Sequence, residues 1–406
     1  MNKYPFAVLL ILILICSTCQ TRRSSSPTTA WQTYRCNMQH SGWYAGKGPT
    51  GKPVLKWKKK GLGVAYQYQN LAVVAGGTLY TISSHLQGLC AVDIHSGTPQ
   101  WEKGPSGFIS SITLSGEHLF FGCNDGYLYV VNRHTGETEW NFHTGRSFYC
   151  APVVAHGSVW FATEEGHVYA VNLKEQRLSW EEQFKMEPGG YTPLLTLSDE
   201  ILLVTIPYQE EGTLLYAVEA ATGKVRWKLS DRNLSLPVTR NGTVFLVRDR
   251  KTLVALEDRT GKEIWTYSPV SGISAPLIAP GTLYLFSDSS NLVALDSRNG
   301  KVRWKIPTEG SHQLLAVTST MLFYTAGDPS LCIHAFDLQA KKSVWKYEYL
   351  DLSNIPAGSS PDGEVEMEEE EIPVLGDFLL GEGMIFYALE SGWGDSRVFD
   401  LYALGE

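Results

Sequence analysis

The stretch Leu292-Val293-Ala294-Leu295-Asp296-Ser297-Arg298-Asn299-Gly300-Lys301-Val302-Arg303-Trp304 decides the fold. It opens with a short apolar run, the pattern of a strand buried on both faces. An acid then stands four residues before a glycine. Asp and Asn side chains bond nearby backbone amides, and glycine accepts a positive φ without a Cβ clash, so this segment turns the chain back. Tryptophan follows on the returning strand.

The pattern recurs. Trp57, Trp101, Trp140, Trp180, Trp227, Trp265, Trp304 and Trp345 lie 44, 39, 40, 47, 38, 39 and 41 residues apart. Eight residues before the last seven stands an acid or its amide: Asp93, Asn132, Asn172, Glu219, Glu257, Asp296 and Asp337. Two residues earlier the side chain is small, as at Ala91, Val130 and Ala170. The turn glycine is Gly97, Gly136, Gly223, Gly261 or Gly300 in five repeats, and Gln176 or Lys341 replaces it in two. Upstream of each acid lies another hairpin, such as Leu277-Ile278-Ala279 leading over Pro280-Gly281 into Thr282-Leu283-Tyr284-Leu285-Phe286. Four short strands about every 40 residues are the signature of a propeller blade.

The chain ends set the number of blades. Phe399 to Leu404 aligns with the third strand of a repeat, and the turn and tryptophan that should follow stand at the other end, in Thr50 to Trp57. An N-terminal strand completing the C-terminal blade leaves no unpaired edge at the seam. The expected fold is therefore all-β: an eight-bladed propeller of four-stranded antiparallel blades over residues 31–406. The eight tryptophans are read as blade-docking residues, because one packing role explains all of them.

Residues 1–18 read as a signal peptide, with the apolar run Phe6 to Ile15 too short to span a bilayer. Cys16 or Cys19 is the expected lipidation site, and residues 19–30 a flexible tether. Export is the expected destination, as an outer-membrane lipoprotein facing the periplasm or as a secreted protein. Cys36, Cys90, Cys123, Cys150 and Cys332 form no Cys-x-x-Cys motif; one disulfide between them is possible, and most are read as small buried residues. A formal charge of −8 and a pI near 5.7 argue against a nucleic-acid partner. Two charge clusters break the pattern: Lys56, Lys58, Lys59 and Lys60 beside Trp57, and the acidic insertion 351–371, with Glu364, Glu366 and Glu368 to Glu371, read as a solvated loop.

No catalytic, cofactor or metal constellation is assigned. The ten histidines are scattered, and no His-x-x-x-His pair, Gly-x-Ser-x-Gly elbow or phosphate loop occurs. Partner-binding loops are expected at Phe148, Tyr149, Tyr191, Tyr208, Arg248 and Arg250, and an exposed sheet edge is a second candidate, by strand addition.

The blade signature resembles the quinoprotein-type (PQQ-like) repeat, found in pyrroloquinoline quinone dehydrogenases and in the BamB lipoproteins of outer-membrane β-barrel assembly. The opening Trp31-Gln32-Thr33-Tyr34-Arg35-Cys36-Asn37-Met38-Gln39-His40-Ser41-Gly42 is similar to a lead-in common in exported propellers of this superfamily. The BamB resemblance implies a monomeric, non-enzymatic protein-binding scaffold, lipid-anchored beside a barrel-assembly complex, with no cofactor. The dehydrogenase resemblance implies a quinone in the channel, a calcium ion and, in many members, adjacent cysteines. This chain has no adjacent cysteine pair. A generic exported peptide- or carbohydrate-binding propeller is the remaining alternative.

Overall fold

The computed structural model describes residues 30, 32–62, 64–65, 72–83, 88–105, 107, 109–148, 150–186, 192–206, 212–287, 291–308, 313–326, 331–350, 375–390 and 397–406. The signal peptide, Cys16, Cys19, the acidic insertion 351–371, Tyr149, Tyr191 and Tyr208 lie outside them. Eight antiparallel sheets follow one another. Blade 1 holds Ala72–Ala75, Thr78–Ser83, Gly88–Asp93 and Pro99–Lys103, from inner to outer strand. Blades 2 to 7 repeat this order, ending on the outer strands Thr138–His143, Arg177–Gln183, Val225–Asp231, Glu263–Tyr267, Val302–Pro307 and Lys342–Leu350.

Blade 8 takes Leu375–Gly381, Met384–Glu390 and Arg397–Gly405 from the C-terminus and Val54–Lys59 from the N-terminus. Val54 pairs with Gly405 and Trp57 with Ala403, antiparallel. The seam turn is rebuilt without a covalent link: the Glu406 carboxylate accepts from the amides of Thr50 (2.5 Å) and Gly51 (2.8 Å) and from the Thr50 hydroxyl (3.1 Å). These bonds hold the Glu406 carboxyl below the usual range, the Gly51 amide contributing most. Elsewhere the acid does the same within one segment. Asp93 Oδ1 accepts from the amides of His95 and Ser96, whereas the longer Glu219 reaches the Thr222 hydroxyl.

The tryptophans lock neighbouring blades together. Each indole stands opposite the small residue of its own third strand, as Trp101 opposite Ala91 and Trp227 opposite Ala217. In five blades, those of Trp57, Trp101, Trp180, Trp227 and Trp265, its face covers the turn glycine of the next blade. A Cβ on Gly261 would come within 2.8 Å of the Trp227 ring, and one on Gly300 within 2.5 Å of Trp265. The indole N–H also donates across the gap: Trp57 to Ile94 O (2.8 Å), Trp101 to Arg133 O (3.1 Å), Trp180 to Ala220 O (2.9 Å), Trp227 to Asp258 O (2.7 Å) and Trp265 to Ser297 O (3.2 Å). In every case the acceptor directly follows the repeat's acid. Trp345 faces the seam instead, and its buried Nε1 has no hydrogen-bond partner among the described residues.

The turn glycine therefore meets two demands, a left-handed backbone (Gly261 φ +69°) and room for an indole. Gln176 and Lys341 hold the same backbone at φ 54° and 55° with a side chain present. Gly261→Ala is expected to cost about 1–3 kcal/mol, since a left-handed Ala is strained and the ring must shift. Gln176→Gly is expected to be neutral or to stabilise by up to about 1 kcal/mol. Urea unfolding of both variants checks the two opposite signs.

Candidate binding faces and the plugged channel

The ring has two faces. On the turn side lie the hairpins joining first to second and third to fourth strands; on the loop side lie the second-to-third turns and the connections between blades. Residues 32–44 occupy the axis at the turn side. The inner-strand amides of Leu114, Leu197, Thr239, Ile278 and Val317 donate to the carbonyls of Gln32 (2.8 Å), Met38 (2.9 Å), Gln39 (3.1 Å), Ser41 (2.9 Å) and Gly42 (2.8 Å). The segment thus follows the inner edges of blades 2, 4, 5, 6 and 7 in order. The Tyr44 hydroxyl then accepts from the Glu382 amide in blade 8 (3.1 Å).

The lead-in residues now have physical reasons. Asn37 Oδ1 accepts from the amides of Gln39 and Ser41, and its Nδ2 donates to Ser41 Oγ at 2.6 Å. Gly42 runs at φ +67° with its Cα against Leu277, where a Cβ would fall 2.3 Å from a side-chain carbon. Arg35 reaches Pro276 O at 3.4 Å. His40 is buried with Nδ1 3.0 Å from Thr196 Oγ1; burial first, and the Arg35 charge second, push its pKa down to about 3. Sequence reading identified this motif as a lead-in but missed its place on the axis. Only its polar, turn-forming residues hinted that something other than a strand was being built.

Phe148, expected on a partner-binding loop, is core instead. It is fully buried, stacked on Phe161 at 5.0 Å and pressed against Gly122, which leaves no face for a partner. Arg248 is partly buried between Asp231 (4.0 Å) and Glu263 (3.6 Å). Arg250 is exposed on the loop side at φ 55°, and its carbonyl accepts from Ile273 N at 2.8 Å, which ties two loop segments together. Val270, three residues before Ile273, is 101% exposed. Sequence reading missed it, because a single Val in a loop carries no pattern.

Cys36, Cys90, Cys123, Cys150 and Cys332 are all buried, and no disulfide joins two of them among the described residues. Burial pushes the thiols of Cys90 and Cys150 up to about 12. Cys150 replaces a hydroxyl: Ala162 N donates to its Sγ at 3.3 Å, as Gly122 N donates to Ser110 Oγ at 2.7 Å and Phe286 N to Ser274 Oγ at 2.9 Å.

Residues 63–142 and 164–336 match the family described as outer membrane protein assembly factor BamB. The chain belongs to this family. It is 24% identical to BamB of Yersinia pestis over 238 residues, 52% of this chain and 60% of that protein. To BamB of Moranella endobia it is 21% identical over 207 residues, 48% of this chain and 53% of that one. The match thus spans a little over half the length of these relatives. Among solved structures, BamB from Moraxella catarrhalis superposes with a TM-score of 0.56 at 12% identity, covering 87% of this chain and 100% of that one. A europium-containing methanol dehydrogenase gives 0.63 at 13% identity, covering 94% and 99%. Both likenesses concern the fold alone. Among the described residues no group of three His, Cys, Asp or Glu gathers to hold a metal.

His40 gives the plug a pH signature. Its folded pKa lies below the unfolded value of about 6.5, so the unfolded chain binds the extra proton between those limits. Its contribution is complete above about pH 6.5 and is lost as the pH falls toward 3. His40→Asn, which tolerates the left-handed φ of 50°, is expected to unfold with a shallower pH dependence in this window. Chemical denaturation at several pH values measures the slope, and equal slopes would contradict the assignment.

Proposed function

We propose that this chain is a non-enzymatic, protein-binding scaffold that assists assembly of outer-membrane β-barrel proteins. It acts in the periplasm, tethered to the outer membrane through lipid on Cys16 or Cys19. The family match over residues 63–142 and 164–336 is the observation that carries this reading. The ring is consistent with it: the lead-in already occupies inner-edge amides of five blades on the turn side, which leaves the loops as the adaptable surface. Outer edges are poor templates for strand addition, because each carries a bulge beside its tryptophan, as between Leu295 and Ala294 of blade 6 and between Val218 and Ala217 of blade 4. Val270 and Arg250, exposed on two loops joined by the Ile273 to Arg250 backbone bond, offer an apolar and a cationic contact to a partner.

Crosslinking in the native membrane, followed by identification of captured proteins, tests this. A barrel-assembly protein is the expected capture, and Arg250→Glu with Val270→Asp is expected to reduce it about tenfold or more, as loss of one anchor does. Pyrroloquinoline quinone with calcium is expected to leave the melting temperature unchanged; a rise would bring back the dehydrogenase reading.

A further inference from the structure

The outer strands differ in charge although they are built alike. In every blade the residue before the tryptophan is bulged out of register, Lys56 in blade 8, Arg303 in blade 6 and Ser179 in blade 3 among them. That bulge already blunts each edge, so lysines are not required for the purpose. Yet blade 8 presents Lys56, Lys58, Lys59 and Lys60 from Val54 onward with no acid in the run. Of these, Lys58 is engaged by Asp400 at 3.0 Å and lies over the Tyr402 ring at 4.7 Å. Blade 6 contributes Arg303 and Lys305 without an acid, and blade 7 Lys342 and Lys346 against Glu348. Arg303 is bonded to Asp296 at 2.8 Å, so the lysines of blade 8 contribute most of the charge.

Blades 2 and 3 have the reverse balance, while blade 4 carries Arg226 and Lys228 against Asp231. The outer strand of blade 2 bears Glu139 alone among Asp, Glu, Lys and Arg, and that of blade 3 bears Glu181 and Glu182 against Arg177. A chain of net charge −8 therefore gathers a cationic arc on the rim of blades 6 to 8. Exposed aliphatic side chains stand between the cations, Val54 at 55%, Leu55 at 47%, Val302 at 49% and Val344 at 47%; Leu178, Val225 and Ile264 hold the equivalent places on blades 3 to 5, so the lysines are what sets this arc apart. A band of lysines spread over three blades, with aliphatic groups among them, suits a broad anionic surface better than a single peptide.

We propose that the rim of blades 6 to 8 docks on an anionic bilayer surface, the lysines meeting phosphate headgroups and the intervening Val and Leu side chains entering the interface. The ring then stands edge-on to the membrane, with both faces accessible. This inference is independent of the barrel-assembly reading, and either can fail alone.

The test uses the full chain and the variant Lys56→Glu/Lys60→Glu/Lys346→Glu in sedimentation with vesicles of phosphatidylcholine, alone or mixed with phosphatidylglycerol. Residues 1–29 are the same in both proteins, so any membrane affinity of that segment cancels in the comparison. The wild type is expected to partition onto the anionic vesicles about tenfold or more better than the variant at low salt, given about 1 kcal/mol per lysine near such a surface. The gap should close near 1 M salt, where the screening length is about 3 Å. Lys→Arg at the three positions is expected to retain binding, and an unchanged melting temperature of the Glu variant shows that it is folded. Equal partition of wild type and folded Glu variant, or no preference for phosphatidylglycerol, would overturn the proposal.

Discussion

One recurring contact underlies most of the ring: an indole from one blade packs on a left-handed turn of the next, glycine in five repeats, and in five blades donates its N–H to the carbonyl just beyond the residue at the repeat's acid position. The contact combines apolar burial with one directed hydrogen bond, so it fixes both the distance and the angle between adjacent sheets. Sheets that meet only their neighbours have no shared core, and the hydrophobic clusters accordingly run between pairs or triples of blades. A repeated small residue opposite each tryptophan is the other half of this arrangement, because a larger side chain at Ala217 or Ala294 would lift the ring off its partner.

Two N-terminal segments convert a row of blades into a closed ring. Val54–Lys59 supplies the last outer strand, and Glu406 reproduces across the break the acid-to-turn bonds that other blades make within one segment. Residues 32–44 tie the inner edges of five blades from within. The consequences reach function. Backbone groups facing the axis on the turn side are occupied by the chain itself, the outer edges are bulged, and variable chemistry is left to the loops and to the charge on the rim.

Most of the architecture could be read from the residues, because a propeller writes the same constraint eight times. The Ala-x-Asp and Gly-x-x-x-Trp spacings gave strand, turn and docking positions, and the split of one repeat between the termini gave closure. Single-copy features were not legible in that way. The course of residues 32–44 depends on which carbonyls face which inner strand, and Phe148 looked like loop aromatic until Gly122 and Phe161 were seen to enclose it. Arg250 was recognisable as exposed charge, whereas the exposure of Val270 became visible only in the structure.

Hydrogen exchange of the strand Val54–Lys59 tests the closure most directly. If this strand completes blade 8, its ladder amides should exchange only with global unfolding and match those of central strands such as Asn291–Asp296. Exchange of residues 55–59 at the rate of an unfolded peptide, while the central strands stay protected, would contradict the ring described above.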